Sequence, residues 1–154
     1  MVPTRSQPTR SKQGAIRDNA RRPFRRTWFR LLRLAAVYTI AKRFAFSASH
    51  IIGGLPATHP CARLHGHNYE VEVVLQSATL DAAGFVRDFR ELAALRDFIN
   101  ARLDHRHLND VLGHDRTTTE VLSQWLYDWC RARWPEVVAV RVSETPSTWA
   151  EYRP

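Results

Sequence analysis

Residues 66–77 alternate in the manner of a half-buried strand. His67, Tyr69, Val71, Val73 and Leu75 fall on one face; Asn68, Glu70, Glu72 and Val74 fall on the other. The entry to this strand carries His65-Gly66-His67. Residues i and i+2 of a strand project to the same side, so two imidazoles stand together there, and Gly66 adds no bulk between them. An upstream stretch, residues 36–49, also reads as a strand, with Val37, Ile40, Phe44, Phe46 and Ala48 among polar residues and room for a bulge. His50 follows directly. If the two strands are antiparallel neighbours, His50 reaches the same spot as His65 and His67. The residues between, 51–63, hold Gly53-Gly54, Pro56 and Pro60 and form a loop.

Beyond Ser77 the period changes. Asp81-Ala82-Ala83-Gly84 is a turn, and Asp88 is a good N-cap with Glu91 three residues on, as in a capping box. A first helix is expected over residues 89–103, with Leu92, Leu95, Phe98, Ile99 and Leu103 at helical spacing. Residues 104–109 read as irregular. Thr117-Thr118-Thr119-Glu120 supplies capping residues for a second helix over 118–134, whose apolar face takes Val121, Leu122, Trp125, Leu126 and Trp129 and which Pro135 stops. Glu120 suits the positive end of that helix dipole. Val137–Thr145 reads as a strand with Val138, Val140 and Val142 on one face, and Thr148–Arg153 as a short last strand. The order ββααββ is an α+β pattern: a four-stranded antiparallel sheet with two helices on one face.

The chain has 154 residues and 44% hydrophobic residues, enough for one domain with a core. Its formal charge of +8 resembles that of a nucleic-acid binder, but the charge is uneven. Residues 1–34 hold ten Arg/Lys against Asp18 alone, which leaves thirteen bases and fourteen acids for the rest. The body is near neutral, so nucleic acid is not its expected partner. Residues 1–35 form a basic arm, too poor in apolar groups over 1–23 to offset the entropy of ordering. Within it, residues 24–36 could make a short basic amphipathic helix that touches a membrane surface or RNA. A solvated tail, or an upstream extension with the true start at Val37, is the plainer reading. Residues 36–154 form the folded domain. Two cysteines, Cys61 and Cys130, do not make a disulfide scaffold and fit a reducing cytoplasm. No apolar run approaches the roughly 18–20 residues that span a bilayer.

All seven histidines lie between His50 and His114. Three of them, His50, His65 and His67, can hold Zn²⁺ through neutral nitrogens and leave a fourth position open for a substrate oxygen. A lone His-x-His is often no more than two polar residues at a strand mouth; His59 and His107 compete as ligands on spacing alone. Cys61, four residues before His65, is then free to act as a base or nucleophile, or it completes the metal site as a fourth ligand. Cys130, inside the second helix, reads as a small core residue. Asp104-His105 can work as a general acid–base pair with the carboxylate orienting the imidazole, although such pairs in loops are often surface groups. Glu144, at a strand end, can accept two parallel hydrogen bonds from the amino-pyrimidinone edge of a pterin or guanine, or be merely solvated.

Together these motifs resemble the 6-pyruvoyl- and 6-carboxy-tetrahydropterin synthase family. The resemblance covers residues 37–154. It is carried by Phe46-Ser-Ala-Ser-His50, Cys61-Ala-Arg-Leu-His-Gly-His67, Gly84-Phe-Val-Arg-Asp-Phe89, Leu103-Asp-His-Arg-His-Leu-Asn109, Thr118-Thr-Glu120 and Ser143-Glu-Thr145. It implies zinc on His50, His65 and His67, catalytic roles for Cys61, Asp104 and His105, and Glu144 as the pterin anchor. It also implies the T-fold (tunnelling fold), in which subunits pair their sheets into a barrel, commonly as a homohexamer of two trimers. In that assembly the Asp-His pair completes a neighbour's site.

Three residues separate Cys61 from His65, the gap found in the 6-carboxy, queuosine-type members; Leu-Asp-His-x-x-Leu-Asn-Asp, ending at Asp110, agrees. The implied reaction converts 7,8-dihydroneopterin triphosphate to 6-carboxy-5,6,7,8-tetrahydropterin, with loss of acetaldehyde and triphosphate, toward 7-deazaguanines. A 6-pyruvoyl-type triphosphate elimination is the alternative, and a non-catalytic RNA-binding module using the basic arm a remote third. The tail Pro146-Ser-Thr-Trp-Ala-Glu-Tyr152 departs from the small-residue, Cys-containing ending of some members. The chain has no GxGxxG nucleotide fingerprint.

Overall fold

A computed structural model describes residues 36–154. The arm over 1–35, with all but the last residue of the expected basic helix, lies outside the described residues. Two long strands, β1 (Tyr38–His50) and β2 (His65–Ser77), pair antiparallel along their whole length. After β2 come helix α1 (Ala93–Arg102), a two-residue strand β3 (Arg106–His107) and the short helix α2 (Leu108–Leu112). Helix α3 (Thr119–Arg131) and strands β4 (Val137–Thr145) and β5 (Thr148–Tyr152) complete the order. The sheet runs β3-β1-β2-β4-β5, antiparallel except where β3 meets β1.

The α+β class and the four expected strands are present, with two additions. Residues 104–109, expected to be irregular, instead contain β3 and the start of α2, which runs on to Leu112. Neither has a local period to announce it; β3 exists because Arg106 and His107 find Ala48 and Ser49 far away in sequence. The bulge allowed for in β1 is absent, and the β1–β2 register is continuous. The irregularity lies instead between Val74 and Leu75 on β2, where β4 skips one residue. That skip places Val137, not Val138, with Val140 and Val142 on the core face, because a bulge flips the alternation beyond it.

α1 starts four residues later than expected. Asp88 does accept from the Arg90 backbone N–H at 2.8 Å, but its other oxygen is taken by the Arg90 guanidinium. Glu91 pairs with Arg87 at 2.7 Å rather than reaching back, so the capping box does not form and residues 89–92 stay in turns. α3 ends three residues before the expected position, and its N-cap is Thr118, whose hydroxyl accepts from Val121 N. Its most buried stripe is Leu122, Ser123, Leu126, Tyr127 and Cys130, while Trp125 and Trp129 lie at the margin.

The core sits between the helices and one face of the sheet. Phe46, Val71, Val73, Leu75, Val140 and Val142 meet Leu95 and Ile99 of α1 and Leu122 and Leu126 of α3. The opposite face is polar: Glu72 on β2 pairs with Arg43 on β1 at 2.8 Å and with Arg141 on β4 at 2.7 Å. No helix among the described residues is long and apolar enough to cross a membrane.

Cys130 is fully buried, as expected of a core residue, and burial pushes its thiol up to about 12. Iodoacetamide should therefore modify the native protein once per chain, at half-buried Cys61, and reach Cys130 only in denaturant. Peptide mass mapping checks this; rapid native labelling of Cys130 would contradict the packing of α3.

Candidate metal centre and acid–base site

The β1–β2 ladder ends on His50 opposite His65, with Ala48 opposite His67. All three imidazoles thus project to the core side of the sheet at its mouth. One ligand-capable atom from each lies within 4.8 Å of the others, and His50 is fully buried. The only such cluster among the described residues is this one. Gly66 is needed for a reason beyond lack of bulk between the rings. A Cβ there would stand 2.9 Å from the Ala48 carbonyl oxygen, so β1 and β2 could not close at the last rungs.

The partners of the ring nitrogens define the tautomers. His50 Nδ1 lies 2.8 Å from the Thr117 carbonyl, and His65 Nδ1 lies 2.8 Å from the Arg63 carbonyl. A carbonyl only accepts, so both Nδ1 atoms carry a proton, and in the neutral rings both Nε2 atoms carry lone pairs. Those two Nε2 atoms face one another at 3.0 Å. Two lone pairs at that distance repel unless a cation takes both. Ligands at about 2.0–2.1 Å around a tetrahedral ion stand roughly 3.3 Å apart, close to this spacing. Burial holds His50 below the usual imidazole range, which keeps its ring neutral and ready to ligate. Backbone carbonyls that fix the tautomer of metal-binding histidines are a recurring outer shell. The residues present fit a metal ion.

Glu144, near the end of β4, faces this cluster. Its Oε1 lies 3.8 Å from His50 Nε2 and accepts from the Tyr69 hydroxyl at 3.4 Å. Burial, then the Glu144 charge, pushes the Tyr69 phenol above its ordinary value, so it remains a donor. Tyr69 reads from the sequence as a core position only. A lone tyrosine in a valine-rich strand face is the available signal, since a buried hydroxyl needs a partner.

Cys61 sits in a single turn of 3₁₀ helix, Pro60–Ala62. It stands outside the three-histidine cluster, so the geometry does not make it a fourth ligand. Its carbonyl accepts from Ile52 N at 2.9 Å, which folds the loop back beside His50. Its own N–H donates to His59 Nδ1 at 3.1 Å. His59 and His107, competing ligands on spacing, are therefore employed elsewhere: His59 on the turn that carries Cys61, and His107 against the Ser49 hydroxyl at 3.2 Å.

Asp104 and His105 do form a pair. Asp104 Oδ2 lies 2.9 Å from His105 Nδ1, while Asp104 Oδ1 accepts from Ser47 N at 2.9 Å. His105 N in turn donates to Ser47 O at 2.6 Å. The His105 backbone is left-handed, φ 56°, the one non-glycine residue so placed among those described. Its side chain is 81% exposed and is not part of the metal cluster. His105 borders a cleft of about 500 Å³ that it shares with Ser49, His67, Asn68 and Arg106.

With this geometry in place, comparison with known proteins is decisive. The profile of the 6-pyruvoyl tetrahydropterin synthase family matches residues 39–154. The chain belongs to that family. The 6-carboxy-5,6,7,8-tetrahydropterin synthase of Bacillus subtilis is 33% identical over 129 residues, 76% of this chain and 86% of that enzyme. The 6-carboxy-5,6,7,8-tetrahydropterin synthase of Synechocystis is 35% identical over 123 residues, 75% of this chain and 93% of that enzyme. The Caenorhabditis elegans 6-pyruvoyl tetrahydropterin synthase superposes with a TM-score of 0.68 at 21% identity, over 77% of this chain and 96% of that one. The last shows that the fold is that of the family.

Two expectations follow. Gly66→Ala should weaken metal binding roughly tenfold or more, because the added methyl separates β1 from β2 at the ligand rungs. Titration with Zn²⁺ against a chromophoric chelator measures it; an unchanged affinity would show that the close approach does not matter. The second concerns Asp104. The Ser47 N–H first, and His105 second, hold its carboxyl below the usual 3.8. A carboxyl depressed in the folded state stabilises above its unfolded pKa and loses that contribution as pH falls through the lower folded value. Asp104→Asn should therefore flatten the fall in stability below about pH 4, read from urea midpoints across pH.

Proposed function

We propose that this chain is a zinc-dependent lyase of the 6-carboxy type. It would convert 7,8-dihydroneopterin triphosphate and one water to 6-carboxy-5,6,7,8-tetrahydropterin, releasing acetaldehyde and triphosphate, in cytoplasmic 7-deazaguanine (queuosine or preQ0) biosynthesis. The carrying observation is the half-buried pair of ring nitrogens, His50 Nε2 and His65 Nε2, facing one another 3.0 Å apart with the Glu144 carboxylate 3.8 Å from the first. A cation site and an acceptor for a guanidine-like edge are thus adjacent. The three-residue gap before His65 and the names of the two bacterial relatives support the 6-carboxy reaction in particular.

In this reading the pterin-synthase domain is residues 36–154, and residues 1–35 are an appended arm. His50, His65 and His67 hold zinc, which when bound supplies Lewis acidity to the substrate's side-chain hydroxyls. Glu144, steadied by Tyr69, anchors the amino-pyrimidinone through paired hydrogen bonds. Cys61 removes a proton on one face of the substrate side chain. His105, held in one tautomer by Asp104, moves protons on the other face. Two proton-transfer groups on opposite faces suit a redox-neutral rearrangement without nicotinamide. The exposure of His105, outside the three-histidine cluster of its own subunit, supports a homohexamer in which the dyad completes a neighbour's site.

The test is product analysis. Purified protein loaded with zinc and given dihydroneopterin triphosphate should release acetaldehyde and triphosphate together. Triphosphate without acetaldehyde would favour the 6-pyruvoyl-type elimination, the reaction named by the matching family. Cys61→Ala should abolish turnover while sparing zinc content, measured by plasma mass spectrometry. Surviving activity would remove Cys61 from the mechanism.

A further inference from the structure

We infer that Asn109 is a positioning residue for the metal site, its side-chain amide standing in for a strand to fix His50. The inference rests on the metal reading above. β3 pairs with β1 only at Ala48↔Arg106 and Ser49↔His107, then stops as α2 begins at Leu108. The backbone of β1 continues one step beyond His50 to Ile51, where β3 has nothing left to pair with it. Asn109 fills that gap. Ile51 N donates to Asn109 Oδ1 at 3.0 Å, and Asn109 Nδ2 donates to Ile51 O at 2.9 Å. A primary amide carries the same planar donor–acceptor pair as a peptide, so it extends the ladder by one rung.

The remaining amide hydrogen goes to Asp115 Oδ1 at 3.2 Å, and Asp115 O accepts from Gly53 N at 2.9 Å. Thr117 closes the arrangement: its hydroxyl donates to Ile51 O at 3.0 Å, and its carbonyl accepts from His50 Nδ1 at 2.8 Å. The group that sets the His50 tautomer and the group that sets its backbone thus meet at one residue, Ile51. Asn109 touches neither the metal ligands' nitrogens nor the site for substrate; it acts through the 50–51 backbone. Its chemistry is specific. Aspartate has the same shape but cannot donate, and would set a carboxylate against the Ile51 carbonyl and the Asp115 carboxylate.

The test uses the full chain with Zn²⁺ and Co²⁺ as probes. N109D and N109A should each raise the zinc Kd at least about tenfold, as loss of outer-shell partners does elsewhere. They should also shift the visible ligand-field bands of the Co²⁺ protein, and leave the metal-free Tm within a few degrees of wild type. Turnover per bound zinc should recover at saturating zinc. If N109A fails to fold, isosteric N109D decides. An unchanged Kd overturns the inference, and so does an affinity loss that merely tracks a fall in metal-free Tm. Wild-type protein that binds no zinc overturns the metal reading and this inference with it, whereas an altered Kd in neither variant leaves the metal reading intact.

Discussion

From Tyr38↔Ser77 to His50↔His65, β1 and β2 pair through thirteen consecutive residues without a skip. A strand's side chains alternate strictly, so a slip of one residue between β1 and β2 would set His50 on the face opposite His65 and His67. What prevents the slip is apolar burial further along the same faces. Phe46 stacks on Tyr69 with ring centroids 4.9 Å apart, and Val71, Val73 and Leu75 are fully buried. Each such side chain contributes roughly 1.5–3 kcal/mol on leaving water. The ligand set is the last stretch of a ladder whose register the hydrophobic core enforces, and Gly66 lets that last stretch close.

Much of this was legible in the sequence. Period-2 alternation marked β2, and the turn residues around Asp81 and Gly84 behave as read: Asp81 Oδ1 accepts from both Ala83 N and Phe85 N. The i, i+2 histidines and His50 at the preceding strand's end met as the antiparallel arrangement requires. What was not legible depended on partners distant in sequence. β3 and α2 carry no period of their own. The capping box at Asp88 failed because two neighbouring arginines competed for its carboxylates. Val137 replaced Val138 in the core because a bulge leaves little local mark. The outer shell was least visible of all: the carbonyls of Thr117 and Arg63 fix two tautomers, and any residue has a carbonyl.

The segment Asp104–Asn109 illustrates how a short run of sequence is shared between two tasks. It lies along β1 from Ser47 to Ile51, and its bonds alternate in purpose. Asp104 and His105 grip Ser47 and present an imidazole outward. Asn109, five residues after Asp104, reaches the far end of the same stretch beside the buried His50. The strand that bears His50 is thereby held on one edge by β2 and on the other by the Asp104–Asn109 segment, so the histidine cluster and the Asp104–His105 pair are not placed independently of each other.

The left-handed backbone at His105 costs an ordinary residue about 1–2 kcal/mol relative to a right-handed one. Glycine would relieve that strain, and random substitution would drift toward it if foldedness were the only requirement. On the acid–base role proposed for His105, the demand for an imidazole opposes that drift, and the position records a tension between durability and chemistry. The surplus that tolerates it comes from the core beneath β1 and β2, so a lineage that lost the need for this imidazole would be expected to shed it at this position early.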